Sequence, residues 1–239
     1  MHLTKLSHLS IATMLAFASV SAVHAQQAGD TILAIGAARI APSLSLGALN
    51  SVGANALVFN GYTAGATASA GYAETLSISV LQMFTNHVGL EFSVGVPPTI
   101  NFDVRLTSVD LPRAAKADVL TPTAVAKYLF NSPADKWRPY VGLGLTYASF
   151  DKVTADRSST LVNALGGTSA SLSSSWAPVY SLGFIYNINE RLSINALAAY
   201  IPLKSDLTFV GPGLSGPVTT TGSLELNPTD YIIRLGYKF

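Results

Sequence analysis

The strongest constraint on the fold of this chain is a strict alternation in its last nine residues. Large apolar side chains occupy every second position from Tyr231 to Phe239, and smaller or charged residues such as Arg234 and Lys238 lie among those between them. A period of two places the two sets on opposite faces of a β-strand. Because terminal residues of soluble domains usually fray in water, an apolar stripe that runs to the last residue predicts a strand facing lipid on one side and a lumen on the other.

The low charge of the chain supports a membrane barrel over a soluble β-protein. Only 11% of the residues are charged, against roughly 25% in soluble domains. No uninterrupted apolar run of about 18 residues follows the first 25, so no membrane-spanning helix is expected. The formal net charge is only +1. This balance argues against a nucleic-acid partner, which would require a basic patch.

Residues 1–25 are interpreted as a cleaved signal peptide. Lys5 supplies the positive start, an apolar segment follows from Leu9 to Val23, and Ala25 ends a small-residue cleavage site. The remainder, 26–239, is predicted to form a single transmembrane barrel domain in the bacterial outer membrane.

Eight alternating segments are predicted to be strands: 31–40, 74–84, 88–96, 120–130, 137–150, 176–188, 191–207 and 224–239. Short turns near 86, 133 and 189 alternate with long loops at 41–73, 98–118, 151–175 and 209–223, with a short helix expected at 159–165. Short periplasmic turns and four longer extracellular loops are typical of an eight-stranded antiparallel transmembrane β-barrel. A soluble barrel would show the opposite polarity, with apolar groups inside.

Several ordered motifs resemble one known family. Residues 137–147 (WRPYVGLGLTY) resemble the (F/W)RPYVGxGxxY segment of the OmpW family of outer-membrane proteins, and 87–91 (HVGLE) resembles its NIGxE segment. LTPT at 120–123 is similar to the family's LPPT, the final GYKF is similar to GYRF, and Trp176 falls where the family has the Trp of DSWG. The resemblance spans about 31–239.

The resemblance implies a hydrophobic lumen that moves small apolar molecules, with a gate where a large apolar residue of the third strand meets the Trp. Here Trp176 is present but its partner is Ser93, so the lumen is expected to be wider, or Phe92 to substitute through a change of register. From the residues alone, the parity of Trp176 with Leu182 predicts an aromatic at the membrane interface. A gate would require a bulge near Pro178 to turn the Trp inward.

Other candidate channel-lining residues are charged. Glu91, Lys127 and Arg234 are predicted to point inward and to form a buried ion network that closes the periplasmic half, because a lone charge inside the barrel would be costly. A role in binding substrate or moving protons is the alternative.

Two prolines, Pro97 and Pro122, mark a candidate lateral opening, because each removes a ladder hydrogen bond near the outer end of a strand. The simpler alternative is that the strands end there.

The resulting hypothesis is an outer-membrane barrel with a narrow, largely hydrophobic channel for small apolar molecules, with lateral release into the membrane. The alternative is a structural or adhesive OmpA-like barrel with a blocked lumen and partner-binding loops. The expected partners are outer-membrane lipid, a small hydrophobic solute, and the assembly machinery through Tyr237 and Phe239.

No enzymatic activity, catalytic residue, metal or cofactor is expected. Barrel hydrolases need a nucleophile with a base, usually His, within hydrogen-bond reach. His87 is the only histidine beyond the signal peptide, and it lies in a short turn on the periplasmic side.

Overall fold

A computed structural model describes residues 26–106 and 109–239; the predicted signal peptide lies outside the described residues. The described chain forms sixteen strands and two short helices. Eight strands build the barrel: β1 (Thr31–Ala41), β5 (Ala73–Met83), β6 (Val88–Gly95), β9 (Thr123–Leu129), β10 (Trp137–Ala155), β12 (Ser175–Asn187), β13 (Leu192–Tyr200) and β16 (Thr229–Lys238).

The remaining elements belong to the connections at one end of the barrel: β2 (Ser45–Leu46), β3 (Asn50–Gly53), α1 (Ala56–Thr63), β4 (Thr67–Ala70), β7 (Thr99–Arg105), β8 (Asp110–Leu120), α2 (Thr160–Gly166), β11 (Ser169–Leu172), β14 (Lys204–Gly211) and β15 (Val218–Glu225). Neither described helix has the length and apolar character needed to cross a membrane.

The barrel closes through its first and last strands. β1 pairs antiparallel with β5 on one side and with β16 on the other, from Ile32 opposite Lys238 to Ala41 opposite Thr229. The other neighbours follow in the order β5–β6–β9–β10–β12–β13–β16, and every pair is antiparallel. The predicted eight-stranded antiparallel barrel is confirmed.

The two faces of the barrel wall have the predicted polarity. On β5, Leu76, Ile78 and Val80 are exposed on the outside, whereas Ser77 and Ser79 are buried inside. The outer positions of β10 are apolar from Trp137 to Tyr147, a length that suits the hydrocarbon layer for a tilted strand. Outward apolar side chains and small inward ones follow from the low-charge, alternating sequence.

The long connections differ from the prediction, because they are folded. The segment expected to be a loop at 98–118 forms the β7–β8 hairpin, and the loop at 41–73 contains β2, β3, α1 and β4. β10 continues beyond the membrane layer and pairs with β8 from Ser149 to Ala155. Two predicted strands are each divided at a proline, one at Pro122 between β8 and β9 and the other at Pro202 between β13 and β14. Proline interrupts them because it cannot donate to a central ladder.

These extracellular elements enclose a common apolar core. One sheet contains β11, β14, β15 and β2, with β3 on β15, while β4, β7 and β8 extend the barrel wall through β10. Their inward side chains, including Phe102, Val119, Leu207 and Leu224, form one buried cluster that continues into the barrel through Val125 and Val179. The sequence periodicity within each segment is local, so it could not reveal this shared core.

Candidate functional site

The extracellular half contains an apolar chamber. Its cavity of about 90 Å³ lies between the sheet extensions and is lined almost entirely by carbon-rich side chains, among them Leu46, Phe102, Leu207, Phe209 and Leu224. The chamber is made by the folded connections together with the outer end of β10. Such a chamber suits an apolar ligand.

A narrower cavity, the neck, lies at the level where the barrel strands end. It holds about 30 Å³ and is lined by aliphatic side chains that include Ile100, Val119, Ile201 and Leu226. Asp230, near the start of β16, is the only charged residue among those that line it.

The lumen forms a third cavity, of about 60 Å³, inside the barrel. Ser93 and Thr123 lie on its wall, as does Ala199 from β13. Asp230 lines this cavity as well as the neck, so the two meet at its side chain. Asp230, Ile232 and Arg234 share the inward face of β16, so Arg234 lies four residues deeper along the strand than Asp230.

The predicted ion network forms the lower end of the lumen. Lys127 Nζ donates to Glu91 Oε2 at 2.8 Å, and Arg234 Nη1 donates to Glu91 Oε1 at 3.1 Å. All three side chains are buried, with 4%, 2% and 2% of their surface exposed for Glu91, Lys127 and Arg234. Both carboxylate oxygens therefore have a cationic donor, which offsets the cost of burying these charges.

Neutral groups extend the network across the barrel. Lys127 Nζ also donates to Tyr140 Oη at 3.2 Å, and that hydroxyl donates to Asn195 Oδ1 at 2.8 Å. Arg234 donates twice to Ser77 Oγ, at 3.1 Å from Nε and 2.8 Å from Nη2. The network thus joins β5, β6, β9, β10, β13 and β16 into a continuous polar layer.

Glycines create the space that this layer requires. Gly36 of β1 lies in register between Arg234 and Ser77, and Lys127 lies between Gly89 and Gly142. A Cβ at Gly36 would stand 1.9 Å from the carbonyl oxygen of Ile233. The long cationic side chains can therefore lie across the neighbouring strands.

A second polar layer closes the periplasmic end. Arg138, fully buried, donates through Nη1 to the carbonyl of Gln26 at 2.7 Å. Gln26 Nε2 in turn donates to Asn187 Oδ1 at 2.7 Å. The segment that precedes β1 is held in the barrel mouth by these bonds.

The hydrogen-bonded ladder between β6 and β9 covers only the lower part of the barrel wall. The last residue pair in this ladder is Ser93 opposite Thr123, whereas β5 still pairs with Val94 and Gly95 of β6. The chains meet again where Val119 N donates to the carbonyl of Pro98 at 3.1 Å. Val94 and Gly95 also line the lumen cavity, so this gap, the β6–β9 gap, borders the lumen.

Only one of the two predicted prolines faces the gap. Val96 N donates to the carbonyl of Leu76 on β5 at 2.9 Å. Because successive backbone groups of a strand point to opposite sides, the N–H that Pro97 lacks would have faced the gap. The carbonyl of Pro122 instead accepts from Tyr147 N of β10 at 3.1 Å. Its missing donor therefore faces β10, and Pro122 contributes to the gap only by ending β9.

The gate expected from Trp176 is not formed, and that part of the prediction is corrected. Trp176 is 69% exposed on the outer face and packs on Tyr147, with ring centroids 5.1 Å apart. The register between β10 and β12 runs from Trp137–Tyr186 to Ala148–Ser175 without a shift. No bulge at Pro178 turns the indole inward, so Ser93 lines the lumen without a Trp partner.

The C-terminal residues lie at the periplasmic rim. Tyr237 and Phe239 are exposed on the outer face, in an edge-to-face pair with centroids 5.1 Å apart. Their recognition by assembly machinery stays a prediction. Lys238 Nζ, at the same rim, lies 3.3 Å from Asp30 Oδ2.

The surroundings of His87 and of the acidic residues give little support for a metal site. His87 Nδ1 is 2.9 Å from the carbonyl oxygen of Leu129, and the His87 ring stacks on Tyr128. Over the ranges 26–106 and 109–239, no three His, Cys, Asp or Glu side chains are grouped so as to hold a metal ion.

Three residues of the site were not singled out from the sequence. Arg138 and Tyr140 share the inward parity of Gly142, so period-two counting along β10 identifies them. Asp230 shares the inward parity of Arg234. Its lack of a partner could be known only from the assembled barrel.

A family model described as the OmpW family matches residues 27–239. Outer membrane protein W of Vibrio cholerae is 27% identical over 95% of this chain and 96% of that protein. Outer membrane protein AlkL of Ectopseudomonas oleovorans is also 27% identical, over 88% of this chain and 82% of that protein.

The fold is similar to that of a solved outer-membrane barrel. The crystal structure of OprG from Pseudomonas aeruginosa superposes with a TM-score of 0.78 at 26% identity, covering 91% of this chain and 99% of that one.

Proposed function

The chain belongs to the OmpW family of outer-membrane proteins, and on that premise we propose that it admits small apolar solutes from outside the cell and releases them sideways into the membrane. The path runs from the apolar chamber through the neck into the lumen, and leaves through the β6–β9 gap.

The upper part of the path favours apolar solutes. The chamber and the neck are lined by aliphatic and aromatic side chains such as Phe102, Leu207 and Ile201. Each apolar group that moves from water into such surroundings gains about 25 cal/mol per Å² of surface removed from water. A sugar would lose its hydrogen bonds to water there without replacement.

The lower part of the barrel disfavours passage straight into the periplasm. The layer of Glu91, Lys127 and Arg234 spans the lumen, and Arg138 holds the chain across the mouth beneath it. Crossing these layers would require an apolar solute to separate buried ion pairs, which is strongly unfavourable. A sideways exit avoids that cost.

The observation that carries the proposal is the contact between the lumen and the β6–β9 gap. The ladder ends at Ser93 and Thr123, and beyond it Val94 and Gly95 border the lumen cavity. The outer side chains near the gap, Phe92 and Val96, are apolar and exposed. A solute that leaves there would pass directly from the lumen to lipid.

Cross-linking across the gap tests this route. The register beyond Ser93–Thr123 would place Val94 opposite Pro122, and both face outward. Because the chain has no cysteine, a Val94→Cys, Pro122→Cys variant can be bridged selectively with a short thiol-reactive linker. Bridging is expected to stop uptake of octane by cells that carry the protein in their outer membrane, while glucose uptake stays at background.

A matched control bridges a closed seam. Ala37 and Ile233 are a registered β1–β16 pair on the outer face, so linking cysteines there should leave octane uptake unchanged. Undiminished uptake after bridging the gap would rule out lateral exit. Octane uptake no faster than in cells without the protein would rule out transport altogether.

The dense polar layer also favours a second candidate, a structural or adhesive barrel with a blocked lumen. A network that joins six strands stiffens the wall, and the folded extracellular sheets offer a surface for a partner. Absence of octane uptake, together with loss of attachment when the β7–β8 hairpin is shortened, would favour this candidate.

A further inference from the structure

Asp230 occupies an unusual place on the solute path. It shares the inward face of β16 with Ile232 and Arg234, and lies in register beside Ile40 and Ala199. It lines both the neck and the lumen, so a solute that moves from one to the other passes its carboxylate.

This carboxylate lacks the partners that the other lumen charges have. Oδ1 of Asp230 is buried and has no hydrogen-bond partner within residues 26–106 and 109–239. In contrast, both oxygens of Glu91 accept from cations. Buried polar atoms without partners are uncommon, because each loses its hydrogen bonds to water without replacement.

Two of the hydroxyls on the walls of these cavities are engaged elsewhere. Thr146 Oγ1 lies 3.1 Å from the carbonyl oxygen of Pro122, and Thr123 Oγ1 donates to Thr146 Oγ1 at 2.9 Å. The other neck residues are mainly aliphatic, such as Ile201 and Leu226. Oδ1 of Asp230 is thus an acceptor without a donor among the described residues, on a side chain that borders both cavities of the path.

We propose that Asp230 selects the head group of the solute: it accepts a hydrogen bond from the hydroxyl of an otherwise apolar molecule and excludes molecules with an anionic head. The solute class is thus a primary alcohol with an aliphatic tail. The tail lies in the apolar chamber and the neck, and the hydroxyl reaches Oδ1. This inference rests on the proposed path but concerns its selectivity.

Two substitutions separate the acceptor from the charge. Asp230→Asn keeps an oxygen acceptor of the same shape and removes the negative charge, so octanoate uptake should rise by about tenfold relative to 1-octanol. Asp230→Leu removes both, so 1-octanol uptake should fall by about tenfold relative to octane. Octane uptake by the same three proteins is the reference to which the 1-octanol rates are compared. Unchanged ratios in both variants would overturn the inference.

A binding measurement distinguishes failure of the inference from failure of the transport proposal. Aspartate labelled with carbon-13 at its carboxyl can be observed in the full protein in lipid nanodiscs, with the Asp230 signal assigned by its loss in Asp230→Asn. Adding 1-octanol should shift this signal, whereas the same concentration of octane should not. A shift without any uptake by cells would contradict transport but support the site; no shift would overturn the site.

Discussion

Arg234 donates to Ser77 Oγ at 2.8 Å although a whole strand lies between their backbones. The contact is possible because the residue between them in register is Gly36. A cation of the last strand is thereby fixed to the second barrel strand and to Glu91 of the third. The seam at which the barrel closes is held by side chains as well as by its ladder.

Adding a methyl group at Gly36 should disturb this seam. In Gly36→Ala the new Cβ would overlap the carbonyl oxygen of Ile233, so the strands must separate and the free energy of unfolding should fall by about 1–3 kcal/mol. Urea unfolding in lipid vesicles measures it. Gly71→Ala is the matched control, since a Cβ there meets nothing within 4 Å; equal effects in the two variants would contradict the account.

Neutralising Glu91 should destabilise the barrel strongly. Glu91→Gln leaves Lys127 and Arg234 buried without their anion, which should cost about 3–5 kcal/mol in the free energy of unfolding. The midpoint of the heat-induced change in gel mobility reports the loss.

An exposed ion pair provides the comparison for Glu91. Hydrogen bonds from Arg105 lower the pKa of Asp110 at the tip of the β7–β8 hairpin, but both groups lie in water. Asp110→Asn should therefore leave the same midpoint unchanged. A Glu91→Gln protein as stable as the unmodified one would show that the network contributes nothing to the fold.

The two prolines should differ in their effect on uptake. Pro97→Val supplies an N–H that faces the β6–β9 gap, and one added hydrogen bond there should slow octane uptake by about two- to tenfold. Pro122→Val supplies an N–H that faces β10 and should change uptake little. Cell uptake assays at matched expression test the pair, and the opposite order would contradict the orientation assigned to Pro97.

A large side chain should block the lumen only where it projects inward from the barrel wall. Ala199 lines the lumen cavity, whereas its neighbour Ala198 faces outward beside Tyr231. Ala199→Trp should abolish octane uptake because the indole would project into the lumen cavity that the solute has to cross. Ala198→Trp should leave uptake intact, and equal uptake by both variants would argue against passage through the lumen.

Trp176 should behave as a residue at the membrane surface. In a Trp137→Phe background it is the remaining tryptophan of two, and its fluorescence should be quenched by lipids brominated near the head group because the indole is exposed on the outer face. Trp176→Ala should leave octane uptake unchanged. Protection from the lipid quencher would instead indicate an inward indole.

The polarity of the wall could be predicted because it depends on neighbours two residues apart. Leu76, Ile78 and Ser77 show their faces within a single segment, and the same counting placed Glu91, Lys127 and Arg234 together inside the barrel. The wrong gate at Trp176 came from the family resemblance rather than from this counting. The parity with Leu182 already indicated an outward indole.

The sequence by itself determined the barrel, its orientation and the inward charges, because strand period and connection length are local properties. The tertiary structure alone decided what each charge meets. Among the residues that the structure describes, Glu91 has two cationic partners and Asp230 has none, although both are inward carboxylates in similar strands. Partners come from strands distant in the chain, and their distances depend on register, on glycines such as Gly36 and on how the extracellular connections fold over the lumen.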